Sequence, residues 1–314
     1  MSSVAGLSGA QAGKRADVRE MEVREGRRSV RFTHLDRIFW PEAGVTKRDL
    51  VDYYTVVAAA LVPHLRQRPF TIKRHFTVPR GPYRWEKDAP PELPDWIAVS
   101  PQPAKSRRGA LVRYPLVNDT MALLWMVEYG CIDLHVWPSR VDLPDRPTYV
   151  LFDLDPAGVP FAEVVQAALL LRNALAAVDL DSVVRTTGGG GLHVHVPIAR
   201  RYSHEQARRF AGRVAAALVR ASGGLVTDER VPARRHGVHV DAKMNGHGQQ
   251  IVSVYSVRPL PGAPVSTPLR WEELTEDLDP AAFTIPVVLE RVERHGDLAE
   301  PLLHGSQRLA GVGG

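Results

Sequence analysis

The sequence predicts an α+β fold with a mixed β-sheet core flanked by helices, and three observations carry that expectation. Residues 149–155, YVLFDLD, are an apolar run of strand formers that stops at carboxylates, and residues 192–198, LHVHVPI, alternate strictly. Between them Phe161 to Val178 reads as a helix. Near the start, MEVREGRRSVRFTH alternates around Glu25-Gly26, which reads as a hairpin. Hairpins mixed with crossover helices describe a mixed sheet, not a doubly wound one.

The elements follow in order. Residues 1–19 are rich in Ser, Ala and Gly and read as a disordered tail. One domain is expected over residues 20–300, with 301–314, ending in RLAGVGG, as a flexible C-terminal tail. Thr46 to Leu65 carries Leu50, Tyr53, Tyr54, Val57, Leu61 and Leu65 at helical spacing, with Thr46 as its N-cap. RPFTIKRHF reads as a strand, and GPYRWEKDAPPELPDW, rich in Pro and Gly, as a loop. SVVRTT is a strand, Tyr202 to Arg220 a helix, VHVD a strand and QQIVSVYSVRP a further strand closed by proline.

A chain of 314 residues, 44% hydrophobic and 24% charged, has an ordinary globular composition, which by itself names no function. Its one cysteine, Cys131, rules out an internal disulfide framework and argues against a Cys-built zinc site. No signal-peptide pattern and no run of about 18 apolar residues occurs, so the expectation is a soluble, cytoplasmic protein associated with the nucleoid and not with a membrane. The pI near 9.5 favours an anionic partner. Between Arg66 and Lys87, seven Lys and Arg face one acid, Glu86, and Phe70, Phe76, Tyr83 and Trp85 are interleaved with them. Charge for phosphates and rings for bases suit a nucleic-acid strand.

Asp153 and Asp155 stand two apart and so project from one face of their strand. Asp241 ends the VHVD strand. Three carboxylates meeting at strand ends can hold two divalent cations about 3.5–4 Å apart and activate a hydroxyl. TTGGGGLHVHVP supplies a phosphate half, in which the glycines allow backbone N–H groups to turn toward an anion and Thr187 adds a hydroxyl. His193 and His195 share a face, and either could reach the cleft. Arg258, in YSVRP, offers a planar fork for a triphosphate.

FDLDP, then TTGGGGLHVH, then VD with a following Asn and YSVRP, in that order, resemble the three motifs of the archaeo-eukaryotic primase superfamily. More narrowly, LDRIFWPEAGVTKRDLVDYY, RPFTIKR, DAPPELPDWI and APVSTPLRWEEL are similar to the polymerase domain of bacterial ligase D and its stand-alone primase-polymerase relatives, over roughly residues 22–290.

The resemblance implies a primase-polymerase fold and a nucleotidyltransferase that extends DNA ends or fills short gaps in nonhomologous end joining. It implies a ribonucleotide preference and two divalent ions, manganese or magnesium. Asp153, Asp155 and Asp241 would be the catalytic metal ligands. Thr187, Gly188, Gly189, His193, Arg258 and Lys73 would hold the nucleotide, and Arg74 and Trp85 would lie by the template. Arg37 and Lys47, with His34 beside them, would read the 5′-phosphate at the downstream side of a gap, helped by the amides of the helix that begins at Lys47. Gly190 replaces the family's motif-two lysine, Arg37 replaces a lysine, and the Tyr83–Trp85 loop is short. With no ligase or nuclease segment in this sequence, the implied partners are gapped or broken DNA, nucleoside triphosphates, a separate DNA ligase and a Ku-type end-binding protein. Two rival readings are a non-catalytic DNA-end binding module and a metal-dependent phosphohydrolase. Three clustered carboxylates with no metal would weaken DNA binding, and a phosphohydrolase has no need of a stacking loop.

Overall fold

The computed structural model describes residues 19–104, 109–229 and 231–312. The hairpin β1 (Met21–Glu25) and β2 (Arg28–Phe32) leads to β3 (Ile38–Trp40), β4 (Val45–Thr46) and α1 (Lys47–Leu65). Then come β5 (Phe70–His75), β6 (Tyr83–Glu86), the hairpin β7 (Val99–Pro103) and β8 (Leu111–Pro115), α2 (Thr120–Glu128) and β9 (His135–Val136). The second half holds β10 (Tyr149–Ala157), α3 (Phe161–Ala176), β11 (Val183–Thr186), β12 (Leu192–Pro197), α4 (His204–Ala221), β13 (Val226–Thr227) and β14 (Gly237–Asp241). It closes with β15 (Ile251–Val252), β16 (Pro268–Leu269) and α5 (Ile285–His295).

Two sheets shape the molecule. The larger runs β13-β14-β10-β12-β11-β16 and is antiparallel except for the β13–β14 pair; the smaller runs β15-β9-β5-β6. The expected α+β class and mixed sheet are therefore present. β10 lies between β14 and β12, and its alternate residues Val150, Phe152 and Leu154 are fully buried on the face that α3 and α4 cover. The residues between them, Leu151, Asp153 and Asp155, turn to the opposite face. α1 begins with a capping box in which Thr46 and Asp49 bond each other's backbone, and it buries the apolar stripe expected of it. Tyr53 and Tyr54 extend from that stripe to donate to the Tyr255 and Ile132 carbonyls, at 2.7 and 2.6 Å, tying α1 to the loops beside the smaller sheet.

Four expectations need correction. Tyr83–Glu86 is a strand, not a loop, because its aromatic residues pair in register with Ile72–His75 and the prolines fall outside the paired stretch. The strand expected over Gln249–Pro259 is regular only at Ile251–Val252; Tyr255 then turns at φ 58° and Val257 forms a lone bridge to Val265. α2, α5 and the β7–β8 hairpin were not anticipated. Residues 301–312 do not form a flexible tail: Leu302 and Leu309 are buried, and Gln307 donates to the Asp181 and Pro197 carbonyls at 3.0 and 2.9 Å. The proposed N-terminal tail lies outside the described residues except Arg19, whose carbonyl accepts from Leu35 N–H.

Candidate active site

The register of the larger sheet brings the carboxylates together. Asp153 on β10 faces Asp241 on β14 and His193 on β12, while Asp155 faces His239. Residues directly opposite share a face, so all five side chains project on the side away from α3. Burial, then the neighbouring charge of Asp241, raises the Asp153 pKa to about 6. Burial, then the charge of Asp153, does the same to Asp155. The Asp153 Oδ1 lies 3.0 Å from His193 Nε2 without an aligned hydrogen bond, and so stays buried and unbonded. Burial and the nearby Arg185 guanidinium push the His193 pKa well below the usual imidazole range, leaving a neutral ring.

These residues fit a divalent cation. The donors are hard carboxylate oxygens, one of them on the part-buried Asp153 has no proton donor, and the mutual repulsion of Asp153 with Asp241 and the more exposed Asp155 is what a cation relieves. Asp241 completes the set by position, but its Oδ1 accepts from the Lys243 N–H at 2.7 Å. Among the described residues, accordingly, no three or more His, Cys, Asp or Glu side chains converge into a preformed metal cage.

The glycine turn closes the next side of the cleft. Gly188 has φ +69°, and a Cβ there would lie 2.5 Å from Arg258 Cγ; at Gly191 it would lie 2.5 Å from the Leu154 carbonyl oxygen. These two positions require glycine, whereas Gly189 and Gly190 have room for a side chain. Of the turn's amides, Gly189 and Gly191 N–H donate to Thr187 Oγ1, at 3.2 and 3.3 Å, so these two are already used within the turn. The Thr187 hydroxyl keeps its own proton to donate. Arg258 donates to the Thr187 carbonyl at 2.7 Å, which fixes its guanidinium against the turn.

Asp133 was missed in the sequence. It is fully buried and receives Lys73 Nζ at 2.8 Å, His75 Nε2 at 2.7 Å and His135 Nε2 at 3.0 Å, with Arg258 Nε 4.0 Å away. Burial alone would raise its pKa, but hydrogen bonds from His135 and His75 and the charge of Lys73 hold it far below the carboxylate range. The signal was available: in CIDLHV, Asp133 and His135 stand two apart between apolar residues. His135, Asp153, Asp155, Thr187, His193 and Arg258 line one cleft of about 340 Å³. The exposed Trp85 ring stands 4.9 Å from the His135 ring, and Lys73 Nζ lies 4.4 Å from the Tyr83 ring centre.

Arg74 does not share this cleft. It pairs with Arg84 on the other face of the β5–β6 ribbon and stacks 4.2 Å over Tyr129, as the two-residue strand period requires. The expected phosphate pocket also differs. Arg37 and His34 are exposed, with Arg37 Nη2 donating to the Phe76 carbonyl at 3.3 Å. Lys47 is buried, donates to the Thr33 carbonyl at 2.9 Å and pairs with Glu128 at 2.7 Å. The amides of Lys47, Arg48 and Asp49 are taken by the Arg37 carbonyl, the Leu35 carbonyl and Thr46 Oγ1, so the first turn of α1 has no amides left for an anion.

The family model described as LigD, primase-polymerase domain, matches residues 46–299. The chain is 31% identical over 277 residues to the multifunctional non-homologous end joining protein LigD of Mycolicibacterium smegmatis, covering 87% of this chain and 36% of that protein. Against the bifunctional LigD of Bacillus subtilis it is 28% identical over 270 residues, covering 85% of this chain and 43% of that protein. The chain thus spans well under half the length of these curated relatives. Among solved structures, the polymerase domain of Mycobacterium tuberculosis ligase D in complex with DNA superposes with a TM-score of 0.82 at 31% identity, covering 88% of this chain and 99% of that one. The chain belongs to the LigD primase-polymerase family, whose members are nucleotidyltransferases.

Proposed function

We propose that the protein adds nucleotides, with ribonucleotides preferred, to a primer end or into a short gap during double-strand break repair. The observation that carries this reading is the convergence of Asp153, Asp155, Thr187, His193 and Arg258 on one cleft beside an exposed aromatic edge. Two divalent ions, manganese or magnesium, held by Asp153 and Asp155 with Asp241, would supply activation of the primer 3′-hydroxyl and neutralise the departing pyrophosphate.

The chain's own groups do the positioning. Arg258, braced by the Thr187 carbonyl, presents its remaining guanidinium donors to the triphosphate, and the Thr187 hydroxyl donates beside it. Lys73, held by Asp133, adds a fixed cation under the Tyr83 and Trp85 rings, where a base can stack. The neutral His193 ring packs against Asp153 without competing for charge. On the far side of a gap, Arg37 and His34 are the exposed groups that would meet a downstream 5′-phosphate, while Lys47 supports them from the interior. A DNA ligase activity would seal the product, and a Ku-type protein would deliver the end.

The test is a labelled primer on a gapped duplex with a 5′-phosphate, incubated with manganese and either ribonucleotides or deoxynucleotides. Gap-length extension, faster with ribonucleotides, is expected. Tight binding without extension, or release of phosphate from the nucleotide, would replace this function with one of the rival readings.

A further inference from the structure

Away from the catalytic cleft, on the same side of the larger sheet, Arg68 and Arg185 are buried to 2% and 1% exposure. Among the described residues neither has a carboxylate partner. Arg68 donates to the Trp137 carbonyl at 3.2 Å and to Thr148 Oγ1 at 2.8 Å. Arg185 donates to the Val252 carbonyl at 2.7 Å, to His195 Nε2 at 3.1 Å and to Ser266 Oγ. Every one of these acceptors is neutral. A buried cation with neutral partners only is costly, and burial lowers the pKa of each to about 10.

Both guanidinium groups line one cavity of about 30 Å³, together with His64, Tyr149, His195 and Ser253. Because His195 Nε2 accepts from Arg185, the ring's proton sits on Nδ1, and that atom is buried with no partner. The one nearby carboxylate on the His64 side, Asp297, is already bonded by His64 Nε2 and the Tyr255 hydroxyl, both at 2.8 Å. Two positive charges without an ion-pair partner and the His195 ring with its unspent N–H donor thus line a space with room for one or two waters. Phosphate or sulfate is too large for it.

We propose that this cavity is a binding site for a single small monovalent anion, of which chloride is the common one. The anion compensates Arg68 and Arg185 and takes the His195 Nδ1 proton as a hydrogen bond. The site is independent of the proposed polymerase reaction.

Crystals grown or soaked in bromide should show an anomalous peak in this cavity, within hydrogen-bond reach of the two guanidinium groups. The melting temperature should rise with the logarithm of chloride concentration beyond the rise given by gluconate at equal ionic strength, as mass action requires of a ligand that binds only the folded state. Ser253→Val, which fills the space without removing a charge, should erase the chloride-specific part. A cavity that holds only water in bromide crystals, or identical melting curves in chloride and gluconate, would overturn the proposal. So would a chloride effect that persists in full in Ser253→Val.

Discussion

Lys47→Met separates two roles that a lysine at the start of α1 could have. In the structure Lys47 is 8% exposed, its Nζ 2.7 Å from Glu128 Oε2 and 2.9 Å from the Thr33 carbonyl. Removing it leaves Glu128, whose side chain is 22% exposed, with only the Thr33 hydroxyl at 3.2 Å. Breaking a fully buried pair costs about 3–5 kcal/mol and an exposed one under about 1, so this part-buried pair should cost about 2–3 kcal/mol. Urea unfolding at pH 7 measures that loss, and Lys47→Met combined with Glu128→Gln should recover much of it because no charge is left unpaired. Under folding conditions, Lys47→Met should still bind a gapped duplex with a 5′-phosphate more tightly than one with a 5′-hydroxyl at equal salt, and Arg37→Ala should abolish that preference. Full stability of Lys47→Met together with a lost phosphate preference would refute the reasoning and make Lys47 a phosphate ligand.

Three further outcomes follow from the cleft. Asp153 and Asp155 sit at about 6 when folded against about 4 in the unfolded chain, so the folded protein binds more protons in that window and stability falls as pH rises from about 4 to 6. Asp155→Asn should therefore stabilise the metal-free protein at pH 7, by under about 1 kcal/mol in urea unfolding because solvent screens the exposed Asp155, while lowering primer extension by about 10²–10³-fold, and manganese should raise its melting temperature less than that of the wild type. Arg258→Ala should raise the nucleotide KM or lower kcat by the equivalent of about 1.5–3 kcal/mol in steady-state extension, with DNA affinity unchanged. Asp133, whose pKa is depressed on folding, stabilises above the unfolded value of about 4 and loses that contribution as pH falls below it. Asp133→Asn should cost about 3–5 kcal/mol at pH 7, and parallel urea titrations should show the gap to wild type narrowing below pH 4.

What the sequence made legible was local and periodic. The strand ending in Asp153 and Asp155, the capped α1 and the alternating LHVHVP strand announce themselves through the two- and 3.6-residue periods and through Thr46. α2 was missed because TMALLWMVE is apolar from Met121 to Val127, with six of its nine residues buried, and so shows no polar face. Asp133 was missed because its role is made by partners at positions 73, 75 and 258, which only the tertiary fold brings together. That Arg74 and Lys73 stand on opposite faces of the β5–β6 ribbon is not visible when a basic run is read as one patch, although neighbours on a strand point apart. The partners of Lys47 were hidden for a related reason: a cation at a helix start suggests an anion site, and nothing local reveals the Thr33 carbonyl and Glu128 that its Nζ meets in the fold.

Under the proposed function, Asp133 would let the cleft hold its cations still before a polyanion arrives. Free lysine and arginine side chains sample many rotamers and must be ordered on binding, which weakens each contact. A buried carboxylate at 0% exposure anchors Lys73 directly and lies 4.0 Å from Arg258, whose other end is bound to the Thr187 carbonyl. The price is one negative charge near the proposed nucleotide site, but it is shared among Lys73, His75 and His135, and Arg258 Nε stays 4.0 Å from it. Preorganised donors of this kind need no rearrangement as charge develops on the departing phosphates.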